Sequence, residues 1–474
     1  MHLPPTTGIP PRLSPWLRAR QFAVPPSMIA AATAARRAGD WIGACAAAGF
    51  DADVDLDAIR RRSGSDLVER LQDDLLHLAP DLLRWHLPRV GPAGHLRPGL
   101  TIALARYGHD PGSRFGTAGS MYLVARTPPR WADAGQRVAL ALWDGSTPDP
   151  HPHPRPDRRY RLDLHRHLWD VRRAGEFRIR CGADSSPSPP TSPPPRDLPD
   201  GCAVDRWAAE AALVIRAEGR RSGCVRIRLG ARGDLVLHSD VADLTAADWV
   251  VAPASRQITA LPVLPDAATR TLPDLELLRH GAISPDQLHP LVAAALAPGR
   301  HPRRESRKMA QDSGFQEVRC RGEVHRIGIA DGVLSALDHD RDEVRREQML
   351  ASLTGTPLAC LQAIDRAHRR PDCLSGVQER LDFGDIDGAL AIVERLLGPD
   401  AILRNGPLRD AVETTRAQQE IYDAYRAGVI DPVPQSIPGG PRSRGHIGRR
   451  QRARPRHATP FEPGVRHPFP FHTP

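Results

Sequence analysis

The run Ser-Ser-Pro-Ser-Pro-Pro-Thr-Ser-Pro-Pro-Pro at 185–195 constrains the fold more than any other stretch of the chain. Proline fixes φ and carries no backbone N–H, so neither a helix nor a central strand passes through such a run. The folded material is therefore divided, with an extended segment between its parts. A second break, charged rather than proline-rich, falls at 299–312. At 474 residues the chain has room for two or three cores. The resulting division is an extended arm at 1–26, a helical plus antiparallel-sheet domain at 27–182, and a linker at 183–200. An α+β unit follows at 201–298, its continuity with the first domain left open. Beyond the linker at 299–312 come a β-hairpin plus helical domain at 313–432 and a disordered basic tail at 433–474. The fold class this predicts is α+β, with short antiparallel sheets and packed helices.

Periodicity supports that class. Leu67, Leu71, Leu75 and Leu78 fall at helical spacing, with Asp66 and Glu69 placed as a capping box. Residues 100–107, 121–126 and 138–143 read as strands, 160–171 is ambiguous, and 176–181 reads as a strand. Further on, 205–218 predicts a helix, and 224–229 and 235–237 a hairpin whose outer face carries Arg226 and Arg228. The pattern also predicts helices at 273–280 and 285–296. The last unit opens with strands at 318–321, 324–329 and 333–337. Helices then follow at 342–353, 357–369, 374–381, 386–397 and 408–427.

Composition excludes several chemistries. Lys and Arg total 65, yet the only lysine is Lys308, so no phosphate-binding G-x-x-x-x-G-K-[ST] loop exists and Schiff-base catalysis has no desolvated amine to use. There is also no G-x-S-x-G, no H-E-x-x-H and no G-x-G-x-x-G. The net charge is +9, but residues from 433 onward hold eight Arg against one Glu, so the rest of the chain is close to neutral. Seven widely spaced cysteines without a C-x-x-C pair suggest neither a disulfide framework nor a cysteine zinc site. No signal-like or membrane-length apolar run is found, and a reducing cytoplasm is the expected compartment.

Candidate sites follow from residue type. Asp163, His165 and His167 alternate with leucines, and on a strand they would share a face able to offer metal ligands; a solvated polar face is the alternative. His151 and His153 sit in a proline-rich loop. Cys360 or Cys373 with His368 and Asp365 forms a nucleophile pattern, although Cys360 falls on the apolar side of its helix. The acidic run Asp338, Asp340 and Asp342 lacks the glycine and terminal glutamate of a calcium loop. In the tail, Arg449, Arg450, Arg452, Arg454 and Arg456 offer phosphate contacts for nucleic acid. No cofactor is assigned.

One motif occurs twice, as Gly39-Asp40-Trp41-Ile42-Gly43-Ala44 and Gly384-Asp385-Ile386-Asp387-Gly388-Ala389. Glycine ends one helix, aspartate caps the next, and Gly-Ala permits close helix approach. Each copy resembles the hairpins of tetratricopeptide-like helical repeats, and that resemblance implies binding of peptides or protein partners, with Trp41 and Ile386 as contact residues. Two ordinary αα-hairpins are the alternative. The sequence thus leads to a non-catalytic adaptor of the cytoplasm. A nucleic-acid-associated protein acting through the tail comes second, and a metal-dependent hydrolase at His165 and His167 third.

Overall fold

The computed structural model describes residues 9–108, 115, 120–133, 135–146, 151–184, 198–230, 233–240, 247–251, 256–298, 315–320, 322–330, 333–354, 358–362, 377–397 and 407–429. Twelve strands are named in chain order. They are β1 (Phe50–Asp53), β2 (Arg89–Val90), β3 (His95–Leu96), β4 (Thr101–Tyr107), β5 (Met121–Arg126), β6 (Val138–Trp143), β7 (Ser222–Arg228), β8 (Asp234–Asp240), β9 (Ala247–Val251), β10 (Phe315–Cys320), β11 (Glu323–Ala330) and β12 (Val333–Ala336). With the helices around them they make a mixed α+β protein.

The first sheet has the order β1-β6-β5-β4. β4, β5 and β6 pair antiparallel at the positions expected from their apolar runs. β1 adds a parallel edge beside β6, with Phe50 opposite Val138. Successive side chains of a strand point to opposite faces. One face accordingly gathers Ile102, Leu104, Leu123, Ala125, Val138 and Leu140 into the main core. The other gathers Ala103, Phe115, Tyr122, Val124, Ala141 and Trp143.

Helices cover the main-core face. Ser65–His77 buries Leu67, Val68, Leu71 and Leu75, and Pro80–His86 buries Leu82, Leu83 and Trp85. Gly64 at φ 89 precedes the longer helix, and Asp66 makes no capping bond there. The arm is not extended over its described part: Ser14–Phe22 is a helix with Ala19 and Arg20 buried, because Trp16, Leu17 and Phe22 find the main core to pack on. The 176–181 stretch is likewise not a strand. Its Phe177 enters the core from the short helix Phe177–Arg180, which continues the 3-10 turn Val171–Glu176.

The main core is completed from beyond the proline run, by Leu272, Leu275, Leu277, Ile283, Leu288 and Val292. Between the two contributions lies a second core, in which Val204–Ala217 lays Trp207, Ala211, Val214 and Ile215 on the inner face of the β7–β8 hairpin. The 285–296 stretch divides into a 3-10 turn, Pro285–Gln287, and a helix, Pro290–Leu296, since Pro290 restarts the helix.

In the C-terminal region β10, β11 and β12 form an antiparallel sheet. Helices follow at Arg341–Thr354, Val377–Asp382, Ile386–Leu397 and Pro407–Arg426. Both Gly-Asp hairpins cap as expected: Gly43 N–H donates to Asp40 Oδ1 at 2.8 Å, and Gly388 N–H to Asp385 Oδ1 at 3.0 Å. Phe383, just before the second hairpin's glycine, stacks on Phe22 with 6.5 Å between ring centroids. The Asp331-Gly332 turn lies outside the described residues.

Candidate functional site

The helix Ser14–Phe22 places Trp16 and Arg20 one turn apart, on one face. Together with β2, the turn at 159–168 and the segment 265–276, that face encloses a cleft of about 310 Å³. Its floor is apolar, with Leu13, Trp16, Ile102, Leu162 and Leu168. Its walls carry arginines in two electrostatic states. Arg12 is paired with Glu276 (Nη2 to Oε1, 2.9 Å), and Arg159 with Asp266 (Nη2 to Oδ2, 2.7 Å). Arg89, Arg97 and Arg270 have no carboxylate partner among the described residues.

Arg89 is the most constrained of these three. Its Nη1 donates to Gly94 O at 3.0 Å and its Nη2 to Arg84 O at 2.8 Å, while its buried Nε has no partner. Burial, with Arg84 and Arg20 adding to it, pushes the guanidinium well below the usual arginine range. A bound anion would reverse that penalty, because a carboxylate offers a guanidinium two parallel charge-assisted hydrogen bonds.

Behind the cleft a buried network fixes its wall. Arg20 donates from Nε and Nη2 to the two oxygens of Asp274, at 2.8 and 2.7 Å, and lies 4.3 Å from the Trp85 ring centroid. Trp85 Nε1–H donates to the same carboxylate at 2.9 Å. Burial would raise the Asp274 carboxyl, but Arg20 and His86 outweigh it and hold it well below the usual range. His289 accepts from Leu291 N–H at Nδ1 and so donates from Nε2 to Asp81, at 3.0 Å.

The residues singled out in the sequence take the following places. Asp163, His165 and His167 lie on two consecutive 3-10 turns, Leu162–Leu164 and Arg166–Leu168, rather than on a strand. Asp163 accepts from Arg161 at 2.8 Å. The two nitrogens of His165 face Arg161 O and Glu210 Oε2, both at 3.1 Å, so both ring positions are engaged within the protein. Burial would raise Glu210, yet His165 and Arg180 hold it at about 2. His167 is buried with Nδ1 unpartnered. His151 is buried, its Nε2 facing Thr127 O at 3.0 Å.

Trp41 is half-buried against the main core, and its neighbour Ile42 is 57% exposed. Ile386 is half-buried at the start of its helix. Asp338 is engaged by Arg326, at 2.6 Å from Nη2, and Arg226 by Asp234, at 2.8 Å from Nε. Asp365, His368, Cys373 and the tail arginines Arg449, Arg450, Arg452, Arg454 and Arg456 lie outside the described residues.

One grouping escaped the sequence reading. Cys320, His325, His339 and Cys360 bring their ligand atoms within 4.8 Å of one another. They come from four separate segments and contain no Cys-x-x-Cys pair. The signal available in the sequence was weak: a cysteine ending a strand and a histidine shortly after it on the paired strand. In comparisons with protein families, curated proteins and solved structures, the chain matches none. Among the described residues no helix is long and apolar enough to cross a membrane.

Proposed function

We propose that the protein is a non-catalytic adaptor of the cytoplasm, and that its arginine-walled cleft receives an acidic segment of a partner protein. The observation that carries this reading is the set Arg89, Arg97 and Arg270, three guanidiniums without carboxylate partners among the described residues, around an apolar floor. The volume is at the small end for ligand sites, which suits one or two side chains of a partner: an apolar anchor on Trp16 and Leu13, and a carboxylate on the arginines. The exposed Ile42 beside Trp41 supports a second contact at the first hairpin, and Ile386 holds the position of Trp41 in the other.

The test is a capture from native lysate after nuclease treatment, with the wild-type chain, the variant Arg97→Glu/Arg270→Glu and the variant Trp41→Ala/Ile386→Ala compared. Bound proteins are identified by mass spectrometry and the contacting segment is mapped by crosslinking. The expected result is a stoichiometric partner, crosslinked through an acidic stretch and reduced at least about tenfold by the charge reversal, since one charge-assisted pair is worth about 1.5–3 kcal/mol. Loss with the hairpin variant alone would move the docking site to Trp41 and Ile386. If only nucleic acid is bound, and truncation before Val433 abolishes it, the adaptor reading fails and the tail arginines become the site.

A further inference from the structure

We propose that Cys320, His325, His339 and Cys360 form a closed, tetrahedral zinc site that holds the β10–β12 sheet to the helical segment behind it. Each residue is delivered by a different element. Cys320 ends β10, and Gly322, at φ 91, supplies the left-handed residue that reverses the chain into β11. His325 lies on β11, opposite Val318 in the antiparallel register. His339 follows β12 just before the helix Arg341–Thr354, and Cys360 lies in the helical turn at 359–362. The pairing of Arg326 with Asp338 fastens the His339 loop to β11: the backbone N–H of Arg326 donates to Asp338 Oδ2 at 2.7 Å.

The chemistry of the group is that of a zinc site. Two thiols and two imidazoles are the ligand set of structural zinc, which is bound at about 2.3 Å from sulfur and about 2.0–2.1 Å from nitrogen. Ligand atoms already within 4.8 Å of one another need only small side-chain rotations to reach those bond lengths. The cysteines are 1% and 0% exposed, and the side chain of His339 is 3% exposed, so water does not compete for a fourth position.

Orientation gives a second, independent indication. Nδ1 of His325 and Nε2 of His339 face each other at 2.7 Å, with the rings 4.3 Å apart. The opposite nitrogens face outward to carboxylates: Nδ1 of His339 lies 3.4 Å from Glu343, one helical turn on, and Nε2 of His325 lies 3.6 Å from Glu323. Metal-bound histidines characteristically donate their free N–H to such a carboxylate, which fixes the tautomer and raises ligand basicity. The inner nitrogens of the two histidines thus face each other within the group, and the outer nitrogen of His339 is held toward a carboxylate.

Packing places the group at the centre of a local core. Among the described residues its buried members are Cys320, Ala336 and Cys360, with Val318, Val344, Leu358 and Ala359 partly buried around them. A metal at that centre would tie β10, β11 and the turn at 359–362 together. With all four positions taken by protein, the zinc supports structure and leaves none open for catalysis.

The experiment uses the full-length chain without a polyhistidine tag, purified under reducing conditions, with metal measured by inductively coupled plasma mass spectrometry. About one zinc per chain is expected. Cys320→Ser and Cys360→Ser should each lower it at least about tenfold, while Cys45→Ser leaves it unchanged. Glu343→Gln, which keeps all four ligands, should weaken affinity by about 10- to 100-fold. Should the cysteine variants fail to fold, X-ray absorption on the wild-type zinc protein decides, with two sulfur and two nitrogen neighbours expected. A chain that takes up no zinc on reconstitution, a ligand count without sulfur, or a Cys320–Cys360 disulfide in place of metal would each overturn the proposal.

Discussion

His167 is 2% exposed, its Nδ1 has no partner, and its ring packs edge-on against Phe177 at 5.8 Å between centroids. Burial, reinforced by His165 and Arg180, pushes its pKa well below the ordinary histidine value. The folded protein therefore keeps this ring neutral while the unfolded chain takes up a proton near pH 6.5. Below that pH the unfolded state binds more protons, so stability falls as pH falls, by up to about 1.4 kcal/mol per pH unit for one such group. His86 contributes with the same sign: burial lowers it, and Asp274 only partly opposes this. In His167→Phe the thermal midpoint should drop less between about pH 7 and about pH 5 than in the wild type, and an unchanged drop would show that His167 is not held neutral. Asp274→Asn tests the neighbouring pair. Arg20, with its side chain 1% exposed, would lose its counter-ion, and a loss of about 3–5 kcal/mol is expected in denaturant unfolding.

At the scale of elements, the two Gly-Asp hairpins share a sequence and a cap but differ in their surroundings. Gly39 has φ +79 and nothing within 4 Å of an added Cβ. Gly384 has φ +77, and an added Cβ would lie 2.2 Å from the Cα of Gly135, a backbone atom with no flexible side chain to yield. Gly39→Ala should therefore cost only the left-handed conformation, about 1–2 kcal/mol. Gly384→Ala should cost that and a further 1–3 kcal/mol or so of overpacking, and should speed hydrogen exchange across Val377–Asp382 and Ile386–Leu397. Equal losses in the two variants would mean that the hairpin does not press on Gly135. This contrast also shows what was legible in the sequence. The cap and the turn are local, so Gly, Asp and the helix spacing disclosed them, as short apolar runs between turn residues disclosed β4, β5 and β6. The contact of Gly384 with Gly135 is non-local, and so is the parallel pairing of the four-residue β1. The Cys320, His325, His339 and Cys360 group was hidden for the same reason: its ligands converge only once β10 and β11 pair and the helices close behind them. The cleft arginines were hidden differently, because with 64 arginines in the chain no individual one stands out until its carboxylate partners are known.

For the molecule as a whole, the decisive contact joins residues 371 apart. The helix Pro407–Arg426 returns to the first sheet, where the Tyr422 hydroxyl donates to Asp51 Oδ2 at 2.7 Å and Tyr425 meets Trp131 edge-on at 5.3 Å. Asp51 also accepts from Arg137, at 3.0 Å from Nε, and lies 3.0 Å from Arg426 Nη1. Burial would raise its carboxyl, but these donors together hold it below the usual range. A hydroxyl bonded to a charged acceptor is worth about 1.5–3 kcal/mol. Tyr422→Phe should therefore lower stability by that amount in the wild-type background and by clearly less in Asp51→Asn, giving a coupling energy of at least about 0.5 kcal/mol in a double-mutant cycle. Additive losses would place Tyr422 away from β1. A coupled result would mean that the edge strand unseen in the sequence is held partly by the C-terminal helix. Main-core residues come from both sides of the proline run in the sequence, from Leu13–Cys181 and from Leu272–Val292, and Phe383 adds a further contact from the C-terminal region.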